Sequence, residues 1–421
     1  MTVENSKAHL VQAFIDQDFA RQCTFLAELV KVPSDNPPGD CRPHAERTQA
    51  LLAGLGFAVE VYPVPADKLK AVGMISANNL IVRAQFGSGG PTIALNAHGD
   101  VVPPGLGWSH DPYGAEVVND PVHGPVMIGR GVAVSKSDFA TYAWAMLALR
   151  LLEQNGVALN GCIELHGTWD EETGGEIGPQ WLLEQGLSKP DYVICAGFSY
   201  AVTTAHNGCL HLEAVIRGKP GHAAIPATGI DALEAATAVL QALYGFRAEL
   251  ATRQSNVPGI NHATLNVGLI SGGINTNVVP DKVSLRLDRR VIPEESMAVA
   301  ETELRELIAA AVAPFSGIRL EIQRVLLAAP LVELPGGKLL TETLQKYGEH
   351  EFGTPIPRTG VPLYTDARHY ASAGIPTVLY GAGPRTLQEA NGHGADECLR
   401  LEDLRKATKV VALTLAEMLG A

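Results

Sequence analysis

The sequence is poor in cysteine, and the few it has are scattered. Cys23, Cys41, Cys162, Cys195, Cys209 and Cys398 show no CxxC spacing, which argues against a disulfide scaffold and predicts reduced thiols in a cytoplasmic protein. Charged residues make up only 18% of the chain, so much of it must be buried or run through small-residue loops. The net charge of −13 has the wrong sign for a nucleic-acid partner. No apolar run approaches the length of a membrane span. The opening Met1-Thr-Val-Glu-Asn-Ser-Lys7 has no apolar segment, so neither a membrane partner nor a secretory signal is expected. Internal repeats and low-complexity stretches are also lacking.

What remains is a globular chain of 421 residues, too long for one ordinary core, so two domains are expected. Residues 8–31 carry apolar positions at helical spacing until Val32-Pro-Ser-Asp-Asn-Pro-Pro38 breaks them. A helix fits 43–54, and strands fit Phe57–Val61 and Asn79–Gln85. Ile93–Ala97 reads as a buried strand that ends on His98-Gly99-Asp100. A long amphipathic helix runs from about Asp138 to Gln154. Cys162–Thr168 is another buried strand, ending on Asp170-Glu171-Glu172, and Tyr192–Ala196 is a further one. This alternation predicts an α/β fold, a mostly parallel sheet flanked by helices.

From His211 the pattern changes to strands with one exposed face (His211–Arg217, Thr264–Ile270, Val283–Asp288), with helices over 231–250 and 301–311. These read as a small α+β insert. The buried style returns with Thr377–Tyr380 and a last helix over 401–419. The expected division is a catalytic domain in two parts, 1–207 and 325–421, with an inserted domain over 208–324.

His98 stands where α/β sheets collect ligands, at the carboxyl end of a buried strand. Asp100, two residues on, can orient the imidazole. Adjacent carboxylates on an extended segment point to different sides, so of Glu171 and Glu172 one can bind a metal while the other holds water as general base. Each feature alone has a bland alternative: a satisfied strand-end His, or a solvated acidic turn. Two strand ends carrying HxD and DEE in one sheet weigh against it.

Eight segments in fixed order then carry a resemblance. They are His98-Gly-Asp100, Gly129-Arg-Gly131, Asp170-Glu-Glu172, Gly221-His222-Ala…Pro226, Asn277-Val-Val-Pro280, Asp288-Arg-Arg290, Thr365-Asp-Ala-Arg368 and Gly392-His393…Glu397. The chain resembles the dizinc aminoacylase, acetylornithine deacetylase, succinyl-diaminopimelate desuccinylase and carboxypeptidase G family over nearly its whole length. The resemblance implies a zinc-exopeptidase-like catalytic domain, an inserted lid that dimerises, and hydrolysis of an amide in a small substrate bearing a carboxylate. It implies Glu171 as general base, His98 as a ligand of a first metal with Asp100 its orienting partner, and Glu172 and His393 as ligands of a second. It implies that His222 reaches the partner's site to stabilise the oxyanion. Asn277 and Arg290 would hold the substrate carboxylate, since the Arg fork is bidentate, unless Arg290 pairs with Asp288. Thr365 and Gly383 are expected to contact the substrate.

Two positions depart from the family pattern. The form GRGxxDxK reads here Gly129-Arg-Gly-Val-Ala-Val134-Ser-Lys136, with Val134 in the place of the bridging Asp. The acid of a GEP-like tripeptide is replaced in Ala196-Gly-Phe198-Ser by Phe198. Asp138 lies four positions late, about one helical turn away, and reads better as an N-cap or first-turn acid of its helix. The expectation is therefore zero or one divalent ion per chain (Zn, Mn or Co) and no two-metal centre, with Lys136 supplying positive charge beside the pocket. Beside the amide hydrolase stand two alternatives: a metal-independent lyase or isomerase using Glu171 and Lys136, or a non-catalytic binder of an acidic metabolite. A Ser–Lys nucleophile from Ser135 or Ser137 is a weaker reading.

Overall fold

The computed structural model describes residues 3–420. Helices α1 (Val3–Val30) and α2 (Arg42–Gly54) precede β1 (Val59–Pro63), α3 (Ala66–Ala71), β2 (Asn78–Phe86) and β3 (Thr92–His98). A hairpin of β4 (Glu116–Asp120) and β5 (Gly124–Ile128) leads to α4 (Lys136–Gln154), β6 (Gly161–Thr168), α5 (Pro179–Glu184), β7 (Tyr192–Cys195) and β8 (Val202–His206). Next come β9 (Gly208–Arg217), α6 (Ala232–Leu250), β10 (Thr264–Gly272), β11 (Lys282–Val291), α7 (Met297–Val312) and β12 (Arg319–Ala328). The chain closes with α8 (Lys338–Phe352), β13 (Arg358–Val361), α9 (Ala367–Ser372), β14 (Thr377–Leu379), β15 (Cys398–Arg400) and α10 (Leu401–Met418).

Two compact units result. The first holds the chain up to Thr204, Glu333–Thr359 and the residues from Thr365 on; the second holds Ala205–Val332 with Gly360–Tyr364. The second unit runs past Arg324 because β12 stays paired with β9 as far as the Ala328–Cys209 step, and a paired strand cannot be divided at its middle.

The main sheet has the order β1-β2-β6-β3-β7-β14-β8-β13. Its centre is parallel: β6 with β3, β3 with β7 and β7 with β14. Its flanks are antiparallel, so the expected mostly parallel sheet is in fact a mixed one. At the β1 edge this goes with exposure, since none of its residues is fully buried. A strand with one wet face suits antiparallel pairing, whereas parallel strands need cover on both faces; β2 and β8 are buried almost throughout and still pair antiparallel.

Helix α4 departs from the amphipathic expectation. Phe139, Tyr142, Trp144 and Met146 are all fully buried, because β3, α1 and α10 enclose it. A helix apolar all round is a core helix, and its first turn is carried into the interior with it.

The hairpin β4–β5 and β15 form a separate three-stranded sheet in the order β15-β5-β4. In the second unit the sheet order is β10-β11-β9-β12. Leu210, Leu212 and Leu285, Leu287 on one face pack with Ala235, Val239 and Leu304 of the helices, and the other face carries the polar half of each alternation.

Candidate active site

In the register of the parallel centre His98 lies opposite Thr168, so β3 and β6 end side by side. The segments that follow them, His98-Gly-Asp100 and Asp170-Glu-Glu172, are therefore neighbours at the carboxyl edge of the sheet. Gly99 is required there by close approach: a Cβ on it would lie 2.3 Å from Trp169 Nε1.

Asp100 is the hub. Its Oδ1 accepts the Glu171 N–H at 3.3 Å, and its Oδ2 accepts the Glu172 N–H at 3.1 Å and Asn36 Nδ2 at 3.0 Å. His98 Nδ1 lies 3.0 Å from the Asp100 carbonyl oxygen and 3.4 Å from Oδ1. The imidazole is thus oriented mainly by the backbone of Asp100, while the carboxylate fixes the acidic turn. Glu172 Oε1 lies 3.4 Å from His393 Nε2. The structure thereby joins His98, Asp100, Glu171, Glu172 and His393.

The electrostatics follow from burial. Burial pushes the Glu171 carboxyl well above its usual range, and Glu172, Asp366 and Asp100 push it the same way against His98. Burial alone would lower the His98 pKa, but the Glu171, Asp100 and Glu172 carboxylates outweigh it and hold the imidazole well above its usual range. The Glu172 carboxylate likewise raises His393. This is a carboxylate-rich pocket that calls for positive charge.

Asp366 belongs to the pocket and was missed, although Thr365 beside it was named. Burial and Asp100 push its carboxyl up to about 7 against the pull of His98. Its Oδ2 accepts from Thr168 Oγ1 at 3.3 Å, and its buried Oδ1 has no hydrogen-bond partner. Gly175 must be glycine for it: φ is +70° and a Cβ would stand 2.2 Å from Asp366 Oδ1. Thr365 itself takes the Ala367 N–H on its Oγ1 at 3.2 Å, at the start of α9.

The other predicted residues fall at the rim or elsewhere. Gly383 exchanges backbone hydrogen bonds with Gly197 and Ser199 at 2.9 Å, which lays Phe198 beside it. Asp138 is a first-turn acid of α4 with Ser135 at the N-cap position. Its Oδ1 accepts the Ala382 N–H at 2.8 Å, and burial pushes its carboxyl up to about 7. In the second unit His222 is exposed. Its Nδ1 accepts the Ala224 N–H at 3.0 Å, and the Ala223 N–H reaches Asn277 O at 3.0 Å, so His222 and Asn277 share one loop pair. Arg290 pairs with Asp288 through Nε at 3.0 Å and Nη2 at 3.1 Å.

Lys136 is fully buried, and its Nζ donates to the Val32 carbonyl at 3.1 Å. Burial lowers its pKa to about 7, although Asp35, Glu397 and Asp100 favour the charge. Between about 7 and 10.5 the unfolded chain binds a proton that the folded chain does not, so stability rises with pH across that window. Replacing Lys136 by Met removes this term. At roughly 1.4 kcal/mol per pKa unit, less about 1 kcal/mol for the lost hydrogen bond, the variant should be more stable by a few kcal/mol at pH 7. That advantage should shrink by pH 9.5. Denaturant midpoints at the two pH values check it; a variant less stable at pH 7 would contradict the assignment.

Clustered carboxylates and imidazoles at the carboxyl edge of an α/β sheet make a site for acid–base or metal-assisted chemistry, and the chain's relatives make its class that of the amide-bond hydrolases. Residues 94–417 match the model of Peptidase family M20/M25/M40, and the chain belongs to that family. It is 29% identical over 373 residues to an acetylornithine deacetylase of Salmonella heidelberg (strain SL476), covering 86% of this chain and 88% of that one. Its fold is that of a di-peptidase from Saccharomyces cerevisiae, with a TM-score of 0.77 at 15% identity over 98% of this chain and 99% of that one. A metallo-carboxypeptidase from Sulfolobus solfataricus aligns with a TM-score of 0.76 at 18% identity, over 94% and 99% of the two chains. No helix among the described residues is long and apolar enough to cross a membrane.

Proposed function

We propose that this protein hydrolyses the amide of a small N-acyl amino acid or dipeptide-like substrate, in the cytoplasm, at a site that holds one divalent ion rather than two. The observation that carries the reading is the Asp100 clamp. One carboxylate fixes the backbone of both Glu171 and Glu172, so a single turn presents a base and a ligand in set directions. Glu171 takes the proton of the attacking water and passes it to the leaving amine. Asn277 and Arg290 hold the substrate carboxylate, with Arg290 leaving Asp288 to do so. Thr365 and Gly383 line the substrate, and Lys136 acts as a positioning residue for the loop after α1.

The donor set fits one ion. Glu172 Oε1 is buried without a hydrogen-bond partner and stands 3.4 Å from His393 Nε2. Glu172 and His393 would hold the ion, which would supply Lewis-acid polarisation of the scissile carbonyl and a more acidic water. The donor set fits a second ion poorly. Two divalent ions roughly 3.5 Å apart repel by about 15–20 kcal/mol at an effective dielectric constant of about 20, and Val134 brings no bridging charge against that. Among the described residues, no three His, Cys, Asp or Glu ligand atoms of this pocket lie within 4.8 Å of one another, so a single ion on Glu172 and His393 would take its other ligands from water or substrate. Protein loaded with Mn²⁺ should give the electron paramagnetic resonance spectrum of isolated ions. An exchange-coupled pair would overturn the one-metal site.

A screen of N-acyl amino acids and dipeptides with and without Zn²⁺, Mn²⁺ or Co²⁺ tests the reaction. Release of a free amine supports it; elimination or isomerisation without amide cleavage supports the lyase or isomerase instead. No cleavage and no chemistry, but tight binding of acidic metabolites, supports the non-catalytic binder.

The working form is a homodimer through the second unit. Its edge strand β10 exposes Leu269 (63%) and Ile270 (56%), with Ile274 (74%) just beyond, and an apolar open edge invites pairing with a second copy. Sedimentation at micromolar concentration should show a dimer that Ile270→Lys dissociates. A wild-type monomer would leave His222 without its role in the partner's site.

A further inference from the structure

The second unit holds a group of donor atoms that the hydrolase reading does not use. Strands β9 and β11 are the inner strands of its sheet, and their register sets His211 opposite Asp288 and Cys209 opposite Arg290. Residues two apart on a strand share a face, so all four side chains stand on the face opposite Leu210 and Leu287 of the helix-covered core. Cys209 Sγ lies 3.2 Å from His211 Nε2, His211 Nε2 lies 3.3 Å from Asp288 Oδ2, and Asp288 Oδ1 lies 3.8 Å from the sulfur.

Two chemistries draw Cys, His and an acid together. A nucleophilic relay needs the thiol and the carboxylate on opposite nitrogens of the ring, one to pass the proton and one to hold the tautomer. Here both meet the same nitrogen, which cannot accept from the thiol and donate to the carboxylate at once. Three donors converging on one point are instead the outline of a metal site. With metal–sulfur bonds of about 2.3 Å and metal–nitrogen or –oxygen bonds of about 2.0–2.2 Å, the edges of a tetrahedron are roughly 3.4–3.6 Å. The Cys209–His211 separation of 3.2 Å and the His211–Asp288 Oδ2 separation of 3.3 Å lie just inside those edges, while the other carboxylate oxygen, Oδ1, lies 3.8 Å from the sulfur.

The surroundings agree. Before substrate draws it away, Arg290 donates to both Asp288 oxygens at 3.0 and 3.1 Å, hydrogen bonding that orients a ligating carboxylate; of the four residues, Arg290 alone is shared with the hydrolase reading. A thiolate and a carboxylate offset the two charges of a dication, and the Arg290 guanidinium beside Asp288 leaves a further positive charge at the rim of the site. Cys209 is buried while the side chains of His211 and Asp288 are 35% and 31% exposed, which leaves a way in and room for water as a fourth ligand. Among the described residues this is the one His, Cys, Asp and Glu trio whose ligand atoms all lie within 4.8 Å of one another.

We propose that Cys209, His211 and Asp288 bind one thiophilic divalent cation of the zinc class, tying β9 to β11 at a site distinct from Glu172 and His393. The thiolate selects zinc or cobalt over magnesium, calcium or manganese. The test is cobalt titration of the chelator-stripped full chain. One equivalent per chain should bring up a thiolate-to-cobalt charge-transfer absorption. That absorption should persist in His393→Ala, whose loss touches only the other site, and vanish in Cys209→Ser. His211→Ala and Asp288→Asn should each weaken cobalt binding at least tenfold, and they decide the matter if Cys209→Ser does not fold. Cobalt binding without that absorption, an absorption unchanged in Cys209→Ser, or no cobalt uptake outside the His393 site would overturn the proposal. None of these results depends on turnover, so the hydrolase reading stands or falls separately.

Discussion

Glu171→Gln should lower kcat by roughly 10²–10⁴-fold, the usual contribution of a positioned general base, while KM changes little. The amide side chain matches the carboxylate in size but cannot take a proton from water. The turn that presents it should survive, because Asp100 holds the backbone N–H groups of residues 171 and 172 rather than their side chains. Glu172→Gln offers the contrast. It weakens a ligand that stands 3.4 Å from His393 Nε2, so its activity should return in part at high Mn²⁺ or Co²⁺, whereas that of Glu171→Gln should not. Steady-state kinetics across a metal titration separate the two roles. Full activity in Glu171→Gln would remove the assignment of the base.

The strand ends behind that prediction could be read from local pattern, and the division of roles between Glu171 and Glu172 from the family resemblance. A strand of Ile93–Ala97 composition ends where it meets a polar triplet, and the same holds for Cys162–Thr168 and its DEE. Their adjacency needed only the inference that both strands lie in one parallel sheet, and the His98–Thr168 register bears it out. What escaped was what depends on distant chain. Asp366 enters the pocket only because α9 packs beside β14 and β7, and nothing in Thr365-Asp-Ala-Arg368 says which of its residues turns inward. The antiparallel flanks escaped for a related reason: alternation shows that a strand is half-covered, not which way its neighbour runs. The His211–Arg217 alternation showed a wet face on the insert. The register that puts Cys209, His211 and Asp288 on that face together is set by β11, whose Asp288 is 79 residues beyond Cys209.

The largest stability effect is expected at another pair that only the folded chain makes. Arg130 Nη1 lies 2.6 Å from Glu397 Oε2, with both side chains 1% exposed and 267 residues apart in sequence. Glu397 Oε1 also takes the N–H groups of Ala133 and Val134 at 3.0 and 3.1 Å. Arg130 Nη2 reaches the carbonyls of His393 and Gly394 at 3.3 and 2.9 Å. The pair thus joins the Gly129-Arg-Gly131 turn to the segment carrying His393, whose φ of +64° is uncommon for a residue with a side chain. Removing one member of a buried pair leaves the other charge without compensation and costs about 3–5 kcal/mol. Glu397→Leu and Arg130→Met should each lose that much, and the double variant should lose much less than their sum, because it buries no orphan charge. Denaturant unfolding followed by circular dichroism checks the three stabilities. Loss of the Arg130 hold on the His393 backbone should also weaken metal binding by about 10–100-fold, as outer-shell changes do. Single variants within about 0.5 kcal/mol of wild type, with metal affinity unchanged, would show that the His393 segment is held by other contacts.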